Sequence, residues 1–509
     1  MIQVRPWEMQ NIDKLLPKFA YPNPVIESML DGMTRKGVST SQIPALLKAS
    51  CDHLDTLVSR LDELCQSVPE DSTLLHDLSS LKSCFHSSED FTLQKAASWL
   101  ADLQSLTAET NPSSSATLRE CQALISAAMQ NHLSGAEFCH LASETPGIEI
   151  LQKWRLSHLE AMLLGDHGRE FGDETALQNA IDLLRNQVLI LARQHTLEEQ
   201  QLVTLETLGR FLGVIGQRRS GTRYLEESIQ AYQKALELCR PGSFPATWSA
   251  VQNGLGNALG ALGQRQSDDD QCEMAIKAFE EALRFRTEEK TPDDWASTLN
   301  NMAAVLHSLG RKNKDPKILK RAVDTYKEIL RIWTKSDAPI DWATTMFNLG
   351  TALGSLGEHR RGPRTLEQAV AAYNSALSIR SHDLLPEQWA VTHNNLGTAL
   401  QKLAERQDSA EIMQRAVEAY ENTLDIWTQE IMPMSWAMSM ANLGVARRSL
   451  AAMSGNVESA ERAVNDIKSA VKIFRSASHA KYTELGEEQL SLARQQLTQL
   501  IVGDDSGTR

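Results

Sequence analysis

The sequence predicts an all-α fold, a right-handed α-solenoid of helix-turn-helix repeats with an N-terminal helical bundle. Three observations predict it. Trp248, Trp295, Trp342, Trp389 and Trp436 stand 47 residues apart, and three residues before each is a proline: Pro245, Pro292, Pro339, Pro386 and Pro433. Seven residues after each Trp comes Leu255, Met302, Leu349, Leu396 or Leu443, followed by Gly256, Ala303, Gly350, Gly397 or Gly444; fourteen residues after it stands Leu262, Leu309, Leu356, Leu403 or Leu450. In the second half of the unit Ala416, Tyr420 and Leu424 recur as Ala369, Tyr373 and Leu377, and as Ala322, Tyr326 and Leu330. Spacings of four put these on one helical face, so each unit reads as two antiparallel helices. Such a period marks stacked units, none of which can bury its apolar face alone.

Taken in chain order, residues 1–150 lack the 47-residue register but remain helical in pattern. IPALLKASCDHLDTLVSRLDELC, DSTLLHDLSSLKSCF, FTLQKAASWLADLQSL and ATLRECQALISAAMQNHL are apolar at helical spacing, with breaks expected at Pro69, Ser87-Ser88 and NPSSS (111–115), the last as an exposed linker. Four or more helices here form a bundle that caps the first repeat. Residues 151–200 form a degenerate repeat: Trp154 keeps the register, and Leu177 and Ala180 fall one residue early. Residues 201–480 hold six repeats, the first entered at Gln201 with Leu208-Gly209 and Ile215-Gly216 in place. Residues 481–500, with Tyr482 one position before the expected Trp, close the array as a solvent-facing helix, and 501–509 form a disordered tail. Proline at the first helical position loses no useful N–H, and Asp293, Asp294 and Glu387 behind it suit the positive end of a helix.

Gln-Trp-Ala-Val-Thr-His-Asn-Asn-Leu-Gly and Ala-Val-Glu-Ala-Tyr-Glu-Asn-Thr-Leu resemble the tetratricopeptide repeat (TPR) family, whose pattern is an aromatic, Leu-Gly, then Ala, an aromatic and Ala. The period departs from the family's usual length of about 34. Seven of the extra residues lie between Leu-Gly and the second-helix Ala, about two helical turns, which preserves the packing face. Long arrays of this kind resemble those beside bacterial caspase-like CHAT proteases and signalling ATPases. The resemblance, over about residues 154–498, implies a non-catalytic scaffold or adaptor that holds a protein or peptide in a concave groove, as a regulatory subunit of a bacterial-type complex and without a cofactor. Fold alone leaves function open. The alternatives are an effector or enzyme activity in residues 1–150 regulated by the repeats, and self-association through an exposed end.

Composition narrows the classes. A formal net charge of −14 disfavours nucleic acid, whose binding needs a basic face to displace counterions. No apolar run approaches the roughly 18 residues of a membrane span. MIQVRPWEMQNIDKLL has no basic start followed by an apolar core, so no secretory signal is expected there. Seven cysteines, scattered and odd in number, point to reduced thiols and a cytoplasmic setting.

Signatures of catalysis are missing: there is no phosphate loop, HExxH or GxSxG. Cys51-Asp52-His53, Cys84-Phe85-His86 and Cys139-His140 pair thiols with imidazoles, but helical residues two apart diverge by about 200°. Neither a metal site nor a nucleophile pair is expected from them. The asparagines are the better lead. Asn301, Asn348, Asn395 and Asn442 directly precede the Leu or Met, a framework position in TPR sequences. One residue earlier, and four and seven beyond that, the resemblance implies a groove-facing row: Arg210; Asn253 and Asn257; Asn300 and His307; Phe347 and Thr351; Asn394, Thr398 and Gln401; and Arg448. Asparagine carries both donor and acceptor, so a row of them can pair with an extended peptide backbone, and Phe347 adds an apolar pocket. The basic loops 217–223, 311–317 and 359–364 mark one edge.

Overall fold

The computed structural model describes residues 21, 23–36, 38, 42–68, 72–87, 92–107, 111–239 and 242–507. The N-terminal stretch and the expected breaks at Pro69 and Ser88 lie outside the described residues. The chain is all-helical, its helices packed in consecutive pairs, and it divides into two compact units, residues 1–298 and 299–509.

In five repeats the first helix starts at the proline, Pro245–Gln266, Pro292–Lys312, Pro339–Glu358, Pro386–Gln407 and Pro433–Ser454, and in the repeat before them it is Glu198–Arg218. The three-residue gap to the tryptophan has a physical basis. The first three N–H groups of a helix have no partner within it, and the fourth is the first that can bond back. That fourth residue is the Trp, whose N–H donates to the residue before the proline, at 2.8 Å from Trp389 to Leu385 and from Trp342 to Ala338. The second helices are Arg223–Leu238, Asp269–Ala282, Pro316–Ile329, Arg364–Leu377, Ala410–Thr423 and Val457–Ser476. Several begin on a side-chain cap: Asp268 accepts from the N–H of Asp270 and Gln271, Asp315 from Lys317 and Ile318, and Ser409 from Ile412. Just before these caps the backbone turns left-handed at Ser267, Lys314 and Asp408, the conformation that ends a helix most compactly.

What joins the two helices of a repeat is a small residue facing a ring 23 residues later. An added Cβ at Gly209 would lie 2.8 Å from Tyr232, at Gly256 2.6 Å from Phe279, at Gly350 2.9 Å from Tyr373, and at Gly397 2.9 Å from Tyr420. These rings are buried. A second small position seven residues on repeats the device against an aliphatic side chain, with Gly216 facing Leu225, Gly310 facing Leu319 and Gly357 facing Leu366.

In residues 1–298 the bundle differs from expectation at NPSSS. Asn111 caps helix Pro112–Ala128 by accepting from the N–H of Ser114, and Ser114 and Ser115 are buried, so this is a helix start rather than an exposed linker. Asparagine followed by proline is a strong N-terminal signal, and it outweighs the polar composition. A buried carboxylate, Glu120, ties the bundle together by accepting from Arg60 Nε at 3.0 Å and Arg155 Nη2 at 2.8 Å. The one-residue slip after Trp154 also has a structural counterpart. Between helices Glu174–Leu183 and Leu189–Gln194 lies a π-turn, Leu184–Val188, where the N–H of Leu189 bonds to the carbonyl of Leu184. A π-turn takes up one extra residue, which returns the chain to register by Gln201.

In residues 299–509 the last helix runs Ala480–Gly507, with Tyr482 packed on Phe474 at 5.4 Å. Among the described residues no helix is long and apolar enough to cross a membrane.

The small positions are not equivalent, and this is testable. Gly354, in helix Pro339–Glu358, has nothing within 4 Å of an added Cβ. Gly354→Ala is expected to raise stability by about 0.5–1 kcal/mol through helix propensity. Gly256→Ala gains the same propensity but drives a methyl into the Phe279 ring, an overpacking cost of about 1–3 kcal/mol. Thermal denaturation should show Tm rising for the first variant and falling for the second.

Candidate functional site

The residues expected on the first-helix face are half-buried, and the structure links several of them. In residues 299–509 the link runs between repeats. Asn348 Nδ2 donates to Asn300 Oδ1 at 3.2 Å, and Asn442 Nδ2 donates to Asn394 Oδ1 at 3.2 Å. The asparagine directly before the leucine therefore reaches back to the asparagine one slot earlier in the preceding repeat. The two positions, which residue spacing alone separates into framework and groove, act here as one device. Asn394 Nδ2 lies 3.4 Å from Asn395 Oδ1.

The next slot contacts the helix-pairing ring. Thr351 donates to the carbonyl of Phe347 and accepts from Tyr373 Oη at 3.1 Å; Thr398 donates to the carbonyl of Asn394 and lies 3.0 Å from Tyr420 Oη. The same tyrosine thus packs its ring on the glycine and anchors its hydroxyl beside the slot. Phe347 lies 5.8 Å from the Tyr373 ring, tilted by 58°, and its own face is covered by the Arg380 guanidinium at 4.6 Å. His307 Nε2 lies 3.0 Å from Ser355 Oγ in the following repeat. Gln401 donates to Glu405, and the backbone carbonyl of Arg448 accepts from Gln496 Nε2 at 2.8 Å.

In residues 1–298, Asn253 and Asn257 are half-buried on helix Pro245–Gln266. Arg210 stacks over Phe211 at 4.8 Å, donates to Met162 Sδ, and lies 3.8 Å from Glu206 and 4.0 Å from Asp166. Its charge is therefore already matched within the fold.

Three features escaped the sequence reading. The first is an arginine 17 residues after the tryptophan position. Arg218 donates to the carbonyls of Gly168 and Arg169, Arg265 to those of Gly216 and Gly221, and Arg406 to those of Gly357, Arg360 and Gly362. Each closes the carbonyl end of the preceding first helix, where a cation is favoured. Its recurrence at Arg265 and Arg406 was a usable signal. The second is Arg380 itself. The third is a half-buried cluster of His53, His167 and Glu170 around the buried His132, drawn from helices Ile43–Ser67, His132–Ser143 and Ile150–Phe171, which no linear pattern brings together. Ring centroids lie 6.5 Å apart for His53 and His132 and 6.3 Å for His132 and His167, and His132 Nε2 is 3.7 Å from Glu170 Oε2. His132 Nδ1 and His167 Nδ1 are buried without a hydrogen-bond partner. Among the described residues no group of three or more His, Cys, Asp or Glu is arranged to hold a metal ion.

The thiols are poor nucleophile candidates. Burial pushes Cys51 up to about 11, aided by Asp55 and Asp52, and raises Cys121 and Cys139 as well. His140 is exposed and faces Glu160 at 3.3 Å.

A ladder of paired helices with a polar first-helix face defines a helical-repeat scaffold. Residues 295–330 and 389–426 match the tetratricopeptide repeat family, and the chain is a repeat protein of the tetratricopeptide type. The two matched segments start 94 residues apart, twice the repeat length seen here. No curated protein matches the sequence. Among solved structures the chain is similar to BtubC from P. vanneervenii, at 20% identity over 50% of this chain and 92% of that one, TM-score 0.36. It is also similar to a Rap protein complexed with competence and sporulation factor, at 11% identity over 80% and 99%, TM-score 0.34. A third is the human IFIT1 dimer with m7Gppp-AAAA, at 13% identity over 90% and 95%, TM-score 0.36.

The buried and half-buried histidines set a pH dependence. Burial pushes His132 down to about 3, helped by His53, His167, Arg169 and Lys36, and pushes His158, His307 and His393 down to about 4. Between pH ~6.5 and 4 the unfolded chain binds protons at these sites that the native chain refuses, so stability falls with pH. Glu170, raised to about 7 by burial and then by Asp166, works the other way: its contribution is present below its unfolded value and lost as pH rises through 7. Burial also raises Asp52, Glu160 and Asp466, which act in the same sense as Glu170, and lowers His53 and His167, so six histidines stand against four carboxyls. Stability is expected to fall by on the order of 1 kcal/mol per histidine between pH 7 and 5, read as a falling Tm, and His307→Gln should flatten the dependence.

Proposed function

We propose that the chain is a non-catalytic scaffold or adaptor that binds a protein or peptide along the first-helix face of its repeats, as a regulatory subunit. Residues 1–150 act as a cap, 151–200 as a degenerate repeat, 201–480 as six repeats and 481 onward as the closing helix, which continues to Gly507 through residues expected to be a tail. In residues 299–509 the binding face is Asn300, His307, Phe347, Thr351, Asn394, Thr398, Gln401 and Arg448; in residues 1–298 it is Arg210, Asn253 and Asn257.

The observation that carries this reading is the pair of inter-repeat amide bonds, Asn348 to Asn300 and Asn442 to Asn394. Each bond occupies an acceptor and orients an amide before any ligand arrives, which leaves the N–H donors of Asn300 for a backbone carbonyl. Preorganisation of this kind lowers the ordering cost on the protein's side of the interface. The raised thiols, which burial keeps protonated, support a non-catalytic role.

The test uses peptides selected from a randomised display library on the full chain. Asn300→Ala with Asn394→Ala should weaken their binding about tenfold or more, and should also cost about 1 kcal/mol of stability per site, because Asn348 and Asn442 lose their acceptors. Asn300→Asp with Asn394→Asp keeps those acceptors while removing the donors, and should still weaken binding. Selected peptides that bind both variants like the wild type would overturn the reading.

A further inference from the structure

We propose that Arg380 is the receptor for one acidic side chain of the bound peptide, an inference that rests on the peptide-binding reading above. Arg380 is 6% exposed, in the loop between helices Arg364–Leu377 and Pro386–Gln407. Its Nη1 donates to Thr392 Oγ1 at 3.1 Å, its Nη2 donates to Thr344 Oγ1 at 3.2 Å, and its plane covers the Phe347 ring. Two of five N–H donors are thus spent, both on neutral hydroxyls. Among the described residues no carboxylate pairs with it, and burial alone pulls its pKa down to about 10. A buried cation is ordinarily paired, because an uncompensated one is costly.

The repeat supplies its own comparison. Arg286 occupies the same position 94 residues earlier, nine before its tryptophan, and it too donates to a threonine one turn into the next helix, Thr298 at 3.0 Å. Arg286, however, has Asp294 at 4.0 Å, the residue just before Trp295. The residue just before Trp389 is Gln388, so the Arg380 copy keeps the cation and lacks the acid. The copies on either side of Arg380 carry Trp333 and Trp427 at this position, which shows that an apolar side chain fits the place. Arginine at 380 is thus a departure from what packing alone requires.

Its neighbours fix the ligand. Thr344, Phe347 and Thr351 follow one another at helical spacing on the proposed binding face of helix Pro339–Glu358, so the guanidinium sits beside the peptide path. A single guanidinium matches a single negative charge, whereas a phosphoryl group brings nearly two. Guanidinium and carboxylate also match in bidentate geometry. The occupant is an Asp or Glu side chain, with its neighbouring apolar side chain against Phe347.

The experiment uses the full chain and synthetic peptides taken from the randomised library. Binders are expected to share one Asp or Glu. Its replacement by Asn or Gln should weaken binding to the wild type by about tenfold or more and have little effect on Arg380→Met. Gln388→Glu supplies an internal acid at the place of Asp294 and should weaken the acidic peptide while leaving its amide version unchanged. Arg380→Met should keep or raise Tm, since it removes an unpaired buried charge; a lower Tm with unaltered peptide affinity would assign the residue to stability instead. Should Arg380→Met fail to fold, Gln388→Glu still decides, because it keeps the arginine. Binders without an acid, or an acid-to-amide loss equal in wild type and Arg380→Met, would overturn the Arg380 assignment and leave peptide binding standing. A library that yields no binder would overturn both.

Discussion

The repeats depend on one close approach, that of a backbone without a side chain to the face of an aromatic ring. Wherever the first helix has Gly209, Gly256, Gly350 or Gly397, a ring 23 residues on occupies the space its Cβ would need. Moving the ring back would open a void in the middle of the helix pair, and adding a methyl would force the helices apart. The interval of 23 is therefore held constant, and with it the length of first helix, loop and second-helix start. Tyr373 and Tyr420 extend the constraint outward, since their hydroxyls reach Thr351 and Thr398 on the first helix. Core packing and the polar face share the same side chain, so the spacing that fixes one also positions the other.

This explains why the fold was so legible in the sequence. Proline, tryptophan, the small residue and the ring each serve a local steric need that tolerates few residue types, and the need recurs at every repeat. Even the slip after Trp154 announced itself, through Leu177 and Ala180 arriving one residue early, before the π-turn at 184–188 supplied its cause. The bundle in residues 1–150 was legible as helices of one bundle, but not in the contacts that tie it together. Its ties are single events, such as Glu120 between Arg60 and Arg155 or His132 beside Glu170, which join residues far apart in sequence. Asn111 shows the complementary error, where polar composition was weighed above the capping chemistry of Asn-Pro.

The candidate site was legible in position and illegible in wiring. Helical spacing put Asn300, Phe347, Thr351, Asn394 and Thr398 on one face, but which amide accepts from which depends on the offset between neighbouring repeats. Asn348 and Asn442 reach back 48 residues rather than 47, a diagonal that periodicity within a single repeat cannot reveal. Arg218, Arg265 and Arg406 likewise act on the repeat before their own, closing carbonyls that their own helix does not present. Contacts between units of an array are the part of its chemistry that a within-unit pattern leaves blank.

A repeat array also carries its own controls, and these sharpen where function is sought. Residues that obey the period answer to packing, because every copy faces the same steric problem. Departures from the period have no such explanation and must be accounted for one at a time. Gly354 leaves open space where neighbouring positions are filled, and Phe347 stands where Asn300 and Asn394 stand in adjoining copies. Around Arg380 two departures coincide: a cation where flanking copies place tryptophan, and an amide, Gln388, where the Arg286 copy places an acid. A lone cation could be a packing variant, since its stem is apolar and its plane stacks on Phe347. Loss of the matching acid removes that reading, because packing gains nothing from leaving a buried guanidinium unpaired.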